Sequence, residues 1–220
     1  AAQSAVGGPV NARALELSLQ LSRVIGDERV LGAIAQIPRE RFVVPSEREH
    51  AYDNVALPIA CGQTISQPVV VARMLELLEL SGDERVLDVG TGSGYHAALL
   101  SLLAREVFSI ERYAELSQQA ADTLAELGLG NVTCVVGDGS RGLPAQAPFD
   151  AINVAAASGR DLPPALLEQL APGGRLVAPV GRRRQHLVRA VSTEDGVRLD
   201  RLDPVRFVPL VPDSEGRAAD

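Results

Sequence analysis

A chain of 220 residues, 46% of them hydrophobic, is long enough to bury one substantial α/β core and too short for two independent ones. Its formal charge of −7, with every one of the 21 basic residues an arginine, argues against sequence-independent nucleic-acid binding, which rests on basic surface. No apolar run reaches the ~20 residues of a membrane-spanning helix and no charged-then-apolar leader opens the chain, so a cytoplasmic protein without a membrane partner is expected; the first residue is not Met, which leaves a removed N-terminal segment open.

Residues 1–9 are small and glycine-containing, lack periodicity and are expected to be disordered. Residues 10–220 read as one domain: N-terminal helices and a covering segment over 10–80, a ligand-binding core over 81–181, and C-terminal strands over 182–211. The apolar residues from Val10 to Ile25 are dense enough for a helix. Asp27 then reads as the N-cap of a second helix running to Ile37 and closed by Pro38. These two helices are expected to pack over the sheet edge or the mouth of a site. Between Arg39 and Thr64 no period emerges, and the stretch with Pro45 and Pro58 reads as an ordered loop.

Gly62-Gln63-Thr64-Ile65-Ser66-Gln67-Pro68 precedes a helical pattern from Val69 to Leu80. Proline is favoured in a first helical turn, so Ser66 or Gln67 is placed at the cap, and the plain reading of Ser66 is an N-cap serine.

The chain is organised around Val86-Leu87-Asp88-Val89-Gly90-Thr91-Gly92-Ser93-Gly94-Tyr95, a strand breaking into alternate glycines and then a helix. Such glycines take positive φ and let a ligand press on main chain. The pattern is G-x-G-x-G, where a dinucleotide fold shows G-x-G-x-x-G, and Asp88 would repel a pyrophosphate but suit a cation. The ligand inferred is S-adenosylmethionine, which carries a sulfonium and an ammonium. A nicotinamide dehydrogenase is the disfavoured rival, and a binding module without turnover another.

A second strand, Glu106 to Ile110, ends in Glu111, 21 residues after Gly90, where an acid can accept ribose hydroxyls. A third, Val132 to Val136, runs into Gly137-Asp138-Gly139, where a carboxylate can reach an adenine amino group. Capping of the next turn is the plain reading of each acid, but in an open parallel sheet all three strand ends converge on one crevice. Phe149 to Val154 is a fourth strand. A helix near Pro164 to Leu170 and Pro172-Gly173-Gly174 lead to a fifth, Arg175 to Val180. The alternation predicts an α/β, doubly wound, mostly parallel sheet. Beyond it, His186 to Ser192 and Val197 to Leu202 read as an antiparallel hairpin, followed by an extended Val205 to Leu210. Arg182-Arg183-Arg184 reads as a solvated loop, a phosphate site being the alternative. Cys61 and Cys134 lack metal-ligand spacing and are expected to be reduced thiols. His50, His96 and His186 are scattered, and no metal site is expected.

These residues resemble the protein-L-isoaspartate (D-aspartate) O-methyltransferase family over roughly Val30 to Val211. The carriers are Arg41-Phe42-Val43, the Gly62 to Pro68 segment, Asp88 to Tyr95, Gly137-Asp138-Gly139-Ser140-Arg141-Gly142, Leu170-Ala171-Pro172-Gly173-Gly174 and Arg206-Phe207-Val208-Pro209-Leu210. The Gln-Thr-Ile-Ser-Gln-Pro run is the most specific of them. The resemblance implies a Rossmann-like, class I S-adenosylmethionine-dependent methyltransferase with Ser66 as its active-site residue. It implies a cofactor site of Thr64, Ile65, Ser66, Asp88, Gly90, Thr91, Gly92, Ser93, Gly94, Glu111, Asp138 and Gly139, and substrate contacts from Ser66, Val208, Pro209 and Leu210. The implied reaction is methylation of the free α-carboxylate of L-isoaspartyl and D-aspartyl residues in damaged proteins and peptides, starting repair through a succinimide. A methyltransferase dedicated to one peptide aspartate, or to a small molecule, is the alternative. Two positions depart from the family pattern, Cys61 and the Ala155-Ala156-Ala157 run.

Overall fold

The structure, a computed structural model, describes residues 11–212. The expected disorder of residues 1–9 lies outside the described residues. Helices α1 (Ala12–Leu21) and α2 (Glu28–Gln36) come first, each started by a side-chain cap. Asn11 accepts from the backbone N–H groups of Arg13 and Ala14, and Asp27 from those of Arg29 and Val30. The first helix stops at Leu21, short of Ile25, because Ser22 caps it and a turn then carries the chain to Asp27. The loop from Arg39 is ordered, as expected. It consists of tight helical turns and a two-residue ribbon, β1 (Leu57–Pro58) against β2 (Thr64–Ile65).

Helix α3 (Pro68–Leu78) carries its proline in the first position and ends at Glu79, which has a φ of +49°. The core then alternates through β3 (Arg85–Val89), α4 (Tyr95–Leu103), β4 (Glu106–Glu111), α5 (Ala114–Glu126), β5 (Val132–Val136), β6 (Phe149–Val154), α6 (Pro164–Leu167) and β7 (Leu170–Val180). Strands β8 (Gln185–Thr193) and β9 (Gly196–Val205) close the chain as the expected hairpin. The main sheet runs β5-β4-β3-β6-β7-β8-β9, parallel through its first five strands and antiparallel in the last two. Helix α6 is one turn long and β7 begins earlier than the Pro-Gly-Gly turn suggested. That turn lies inside β7, where the pairing with β6 shifts register between Phe149 and Ala151.

The central strands are apolar on both faces because both faces are covered. Val86, Val107, Ala151 and Val177 join the core formed with α1 to α4, while Leu87, Phe108, Ile152 and Leu176 point to a second core that includes Leu162 and Leu166. This places the carboxyl ends of β3, β4, β5 and β6 side by side, with the reversal of strand order between β3 and β6, where open α/β sheets bind ligands.

Candidate active site

A cleft lies beyond these strand ends. Val89 and Gly90 leave β3 into it, Ile110 and Glu111 bring β4, Gly139 follows β5, and Ala155 and Ala156 follow β6. Gly90 has a φ of +90°, which turns the chain under the cleft without a side chain. A Cβ at Gly139 would sit 2.6 Å from Val89 Cγ1, so the wall closes there only around a glycine. The cleft is roofed by Gln63 and Thr64 from one side and by Val208 to Val211 from the other. The C-terminal segment is held down by β-type bonds: Ala157 N–H donates to Val208 O at 2.7 Å and Leu210 N–H to Ala157 O at 2.8 Å. Arg112 adds a bond to Val211 O at 3.2 Å.

Glu111 is 6% exposed and its orientation is set by main chain. Oε2 accepts from Gly92 N–H at 3.0 Å and Oε1 from Tyr113 N–H at 3.0 Å. A carboxylate has about four acceptor sites, so each oxygen keeps one for a ligand hydroxyl. The capping reading of Glu111 is therefore realised in the turn to Tyr113 without using up the group.

Asp138 likewise caps its own turn, Oδ1 accepting from Ser140 N–H at 2.9 Å and Ser140 Oγ–H at 2.7 Å. The carboxylate is mostly buried, and it is its neighbour Gly139 that forms cleft wall.

Asp88 is not at the cleft wall. It is fully buried in a polar row across three strands, opposite Ser109 on β4 and Asn153 on β6, and accepts from both at 2.8 and 2.7 Å. Thr91 Oγ1 lies 2.6 Å from Ser109 Oγ and joins the same network. Burial raises the Asp88 pKa to about 6 even though the two hydrogen bonds pull it down. The carboxylate that the sequence turns toward a cationic ligand has both oxygens facing protein here and is linked through Ser109 to Thr91 of the glycine loop. Ile65 is also buried, in the core shared with α3, and Gly94 starts α4. Ser93 stands on the turn between Gly92 and that helix, and neither it nor Gly94 lines the cleft.

Ser66 lines a second cavity of about 350 Å³ beside the cleft, together with Gln67, Val70 and the Pro204 to Val208 segment. The two spaces meet at Thr64, Ala155 and Val208, which line both. Ser66 is not the helix cap. Gln67 holds that position, and it makes no side-chain capping bond. The Ser66 hydroxyl has no hydrogen-bond partner among the described residues, while its main-chain carbonyl accepts from the buried Arg39 at 2.8 Å. Several lining residues are not singled out by the sequence. Tyr113 and Arg112 carry a usable signal, since they directly follow the acid at the end of β4. Phe207 and Gln67 lie inside segments that do stand out, without being named as site residues there. Ala56 carries none.

The model of the protein-L-isoaspartate (D-aspartate) O-methyltransferase family matches residues 11–215. The chain belongs to that family. A protein-L-isoaspartate O-methyltransferase of Xanthobacter autotrophicus is 54% identical over 192 residues, covering 86% of this chain and 87% of that protein. One of Rhodopseudomonas palustris is 54% identical over 201 residues, 90% and 81% of the two chains. Among solved structures, a Plasmodium falciparum protein described as a beta-aspartate methyltransferase in complex with S-adenosyl-L-homocysteine superimposes with a TM-score of 0.79 at 26% identity, covering 91% of this chain and 99% of that one. Another protein-L-isoaspartate O-methyltransferase gives 0.80 at 28% identity over 88% of this chain, which spans 64% of that longer one. The glycine loop, the Ser66 segment and the C-terminal Val208 to Leu210 run thus line two adjoining cavities.

Proposed function

We infer that the protein is a carboxyl methyltransferase that moves the methyl group of S-adenosylmethionine to the free α-carboxylate of L-isoaspartyl and D-aspartyl residues in damaged proteins and peptides. The observation that carries this reading, in a chain of this family, is the junction at Thr64, Ala155 and Val208 between a glycine-floored cleft and a cavity holding an uncommitted serine hydroxyl.

The cleft suits a nucleoside cofactor. Glu111 offers two oriented acceptors to ribose hydroxyls, Gly90 and Gly92 offer main chain, and Gly139 with Asp138 beside it forms the adenine end. When bound, S-adenosylmethionine supplies an electrophilic methyl group on a sulfonium. The residues around it have no proton to remove. A free α-carboxylate, of pKa ~3.3–3.7, is ionised at neutral pH, and no histidine is found among the residues lining the two cavities. Their work is alignment and exclusion of water. Ser66 donates its hydroxyl to the incoming carboxylate, Thr64 stands where the two spaces meet, and Val208, Pro209 and Leu210 cover the junction. The methyl ester formed on the substrate then loses methanol as the following peptide nitrogen attacks it. The resulting succinimide opens in part to normal aspartate.

The deciding experiment compares an isoaspartyl peptide with its aspartyl twin in a methyl-transfer assay. Transfer to the first and almost none to the second is expected. Equal transfer to both, or to neither, would overturn the reading.

A further inference from the structure

In a chain of net charge −7, Arg182, Arg183, Arg184 and Arg206 gather around a groove of about 1130 Å³ whose lining includes no Asp or Glu. All four side chains are exposed, and none has an ion-pair partner among the described residues. The turn that carries the first three is built into the fold. Gly181 N–H donates to the carbonyl oxygens of Ser158 at 3.1 Å and Gly159 at 2.8 Å, tying the turn to the chain that leaves β6. Gly181 has a φ of +131°, and a Cβ there would lie 2.0 Å from Arg184 O, so glycine is required for the arginines to fold back over the end of β7. The facing wall is fixed as well: the Gln185 amide accepts from Phe207 N–H at 2.6 Å and donates to Phe207 O at 3.1 Å.

The groove and the Ser66 cavity adjoin along one stretch of chain, since Pro204, Val205, Arg206 and Phe207 line both. A polypeptide whose reacting carboxylate enters beside Ser66 passes Arg206 on its way out. Residues flanking the reacting one then lie along the wall that leads to the arginine turn. Guanidinium forks pair with carboxylates bidentately. Nucleic acid fits less well, since it asks for a long basic track with stacking aromatics, and the one aromatic ring in this lining, apart from the imidazole of His186, is Phe207.

From this we propose that the groove formed by Arg182, Arg183, Arg184 and Arg206 is a subsite for acidic side chains flanking the residue to be methylated, making the enzyme select isoaspartyl sites in acidic peptide segments. The proposal rests on the methyltransferase reading above and adds to it a substrate preference.

The test uses two isoaspartyl peptides with the same core, one carrying two Glu residues within the flanks and the other Gln at the same places. For the natural chain, KM should be about tenfold lower for the Glu peptide at low salt, as two exposed charge pairs of roughly threefold each would give, with kcat unchanged. The gap should close in 0.5 M NaCl, where the screening length is about 4 Å. In the triple variant Arg182→Glu, Arg183→Glu, Arg184→Glu the preference should vanish or invert while turnover of the Gln peptide stays normal, which also reports that the variant is folded. Equal KM values in the natural chain, or a preference that survives in the triple variant, would overturn the proposal. If neither peptide is methylated, the function reading fails on its own, and fluorescence anisotropy with the same two peptides still decides the subsite: equal affinities overturn it. A single-stranded oligonucleotide of matched charge that displaces the Glu peptide more readily than the unlabelled peptide does would overturn it in favour of nucleic acid.

Discussion

The buried guanidinium of Arg39 donates through Nη2 to the main-chain carbonyl of Ser66 at 2.8 Å, joining the turn after α2 to the segment that leads into α3. Its Nε donates to Ala51 O at 2.7 Å, and the group lies 4.7 Å over the Tyr95 ring. Arg39 is 0% exposed, and burial lowers its pKa from the usual arginine value. An interior charge is expensive and is retained where its bonds are specific. Here they set the backbone on which the Ser66 hydroxyl stands.

Arg39→Lys keeps the charge and loses the fork, so one carbonyl is left without its donor. A bond from a charged donor is worth about 1.5–3 kcal/mol, and a tenfold rate change corresponds to about 1.4 kcal/mol. Well below its melting temperature, the variant should lose about tenfold or more in kcat/KM for the peptide with unchanged affinity for the cofactor. A lower melting temperature with peptide kcat/KM intact would assign Arg39 to the fold alone.

Ser66→Ala separates two readings of the same hydroxyl. As Gln67 and not Ser66 is the cap residue, the variant should keep its stability within about 0.5 kcal/mol of the parent, as at an ordinary surface position. If the hydroxyl orients the substrate carboxylate, turnover should fall on the order of 10- to 100-fold, from about 1.5–3 kcal/mol of charged hydrogen bond. Melting temperature and turnover measured on one preparation decide it: a normal rate removes Ser66 from the chemistry.

The parallel core is legible in the sequence because its strands are short apolar runs, three of them followed directly by a glycine (Gly90, Gly137, Gly181) and one ending in Glu111, and burial on both faces of the central strands keeps such runs continuous. Glu111 can be placed for the same reason, since it closes β4 at the sheet's carboxyl edge. The polar row in which Asp88 is buried is not legible in the sequence. A strand of period two sends alternate side chains to opposite faces, and nothing local to Asp88 announces Ser109 and Asn153, which meet it only through strand register. Ser66 reads as a possible cap because spacing to Pro68 is compatible with either Ser66 or Gln67. The Arg39 contact is invisible in the sequence, as it joins positions 27 residues apart through a loop with no period.

Glu111→Gln should weaken cofactor binding. The amide keeps the shape but loses the charge and one acceptor, while Gly92 N–H and Tyr113 N–H still compete for what remains. A lost charged acceptor costs about 1.5–3 kcal/mol, which is roughly 10- to 100-fold in Kd. Titration calorimetry with S-adenosylhomocysteine reads this directly, and an unchanged Kd would take the ribose contact away from Glu111.

Two buried groups should make stability depend on pH in opposite senses. Asp88 has its pKa raised by burial from 3.8 to about 6, so its contribution is full below pH 3.8 and is lost as pH rises to 6. His96 has its pKa lowered from 6.5 to about 4, first by burial and then by the charge of Arg39, so its contribution is full above pH 6.5 and is lost as pH falls to 4. A pKa that differs by one between the folded and unfolded chain corresponds to about 1.36 kcal/mol, so each group contributes on the order of 3 kcal/mol, and between pH 4 and 6 the two nearly cancel. Removing one should expose the other. Relative to the natural chain, Asp88→Asn should lose several kcal/mol more as pH falls from 6.5 to 4, and His96→Leu should gain over the same interval. Urea unfolding at closely spaced pH values gives the three curves. If the Asp88→Asn curve runs parallel to that of the natural chain, Asp88 titrates like an exposed carboxylate and the buried polar row does not raise its pKa. If only the His96→Leu curve runs parallel, His96 reaches solvent in the folded state.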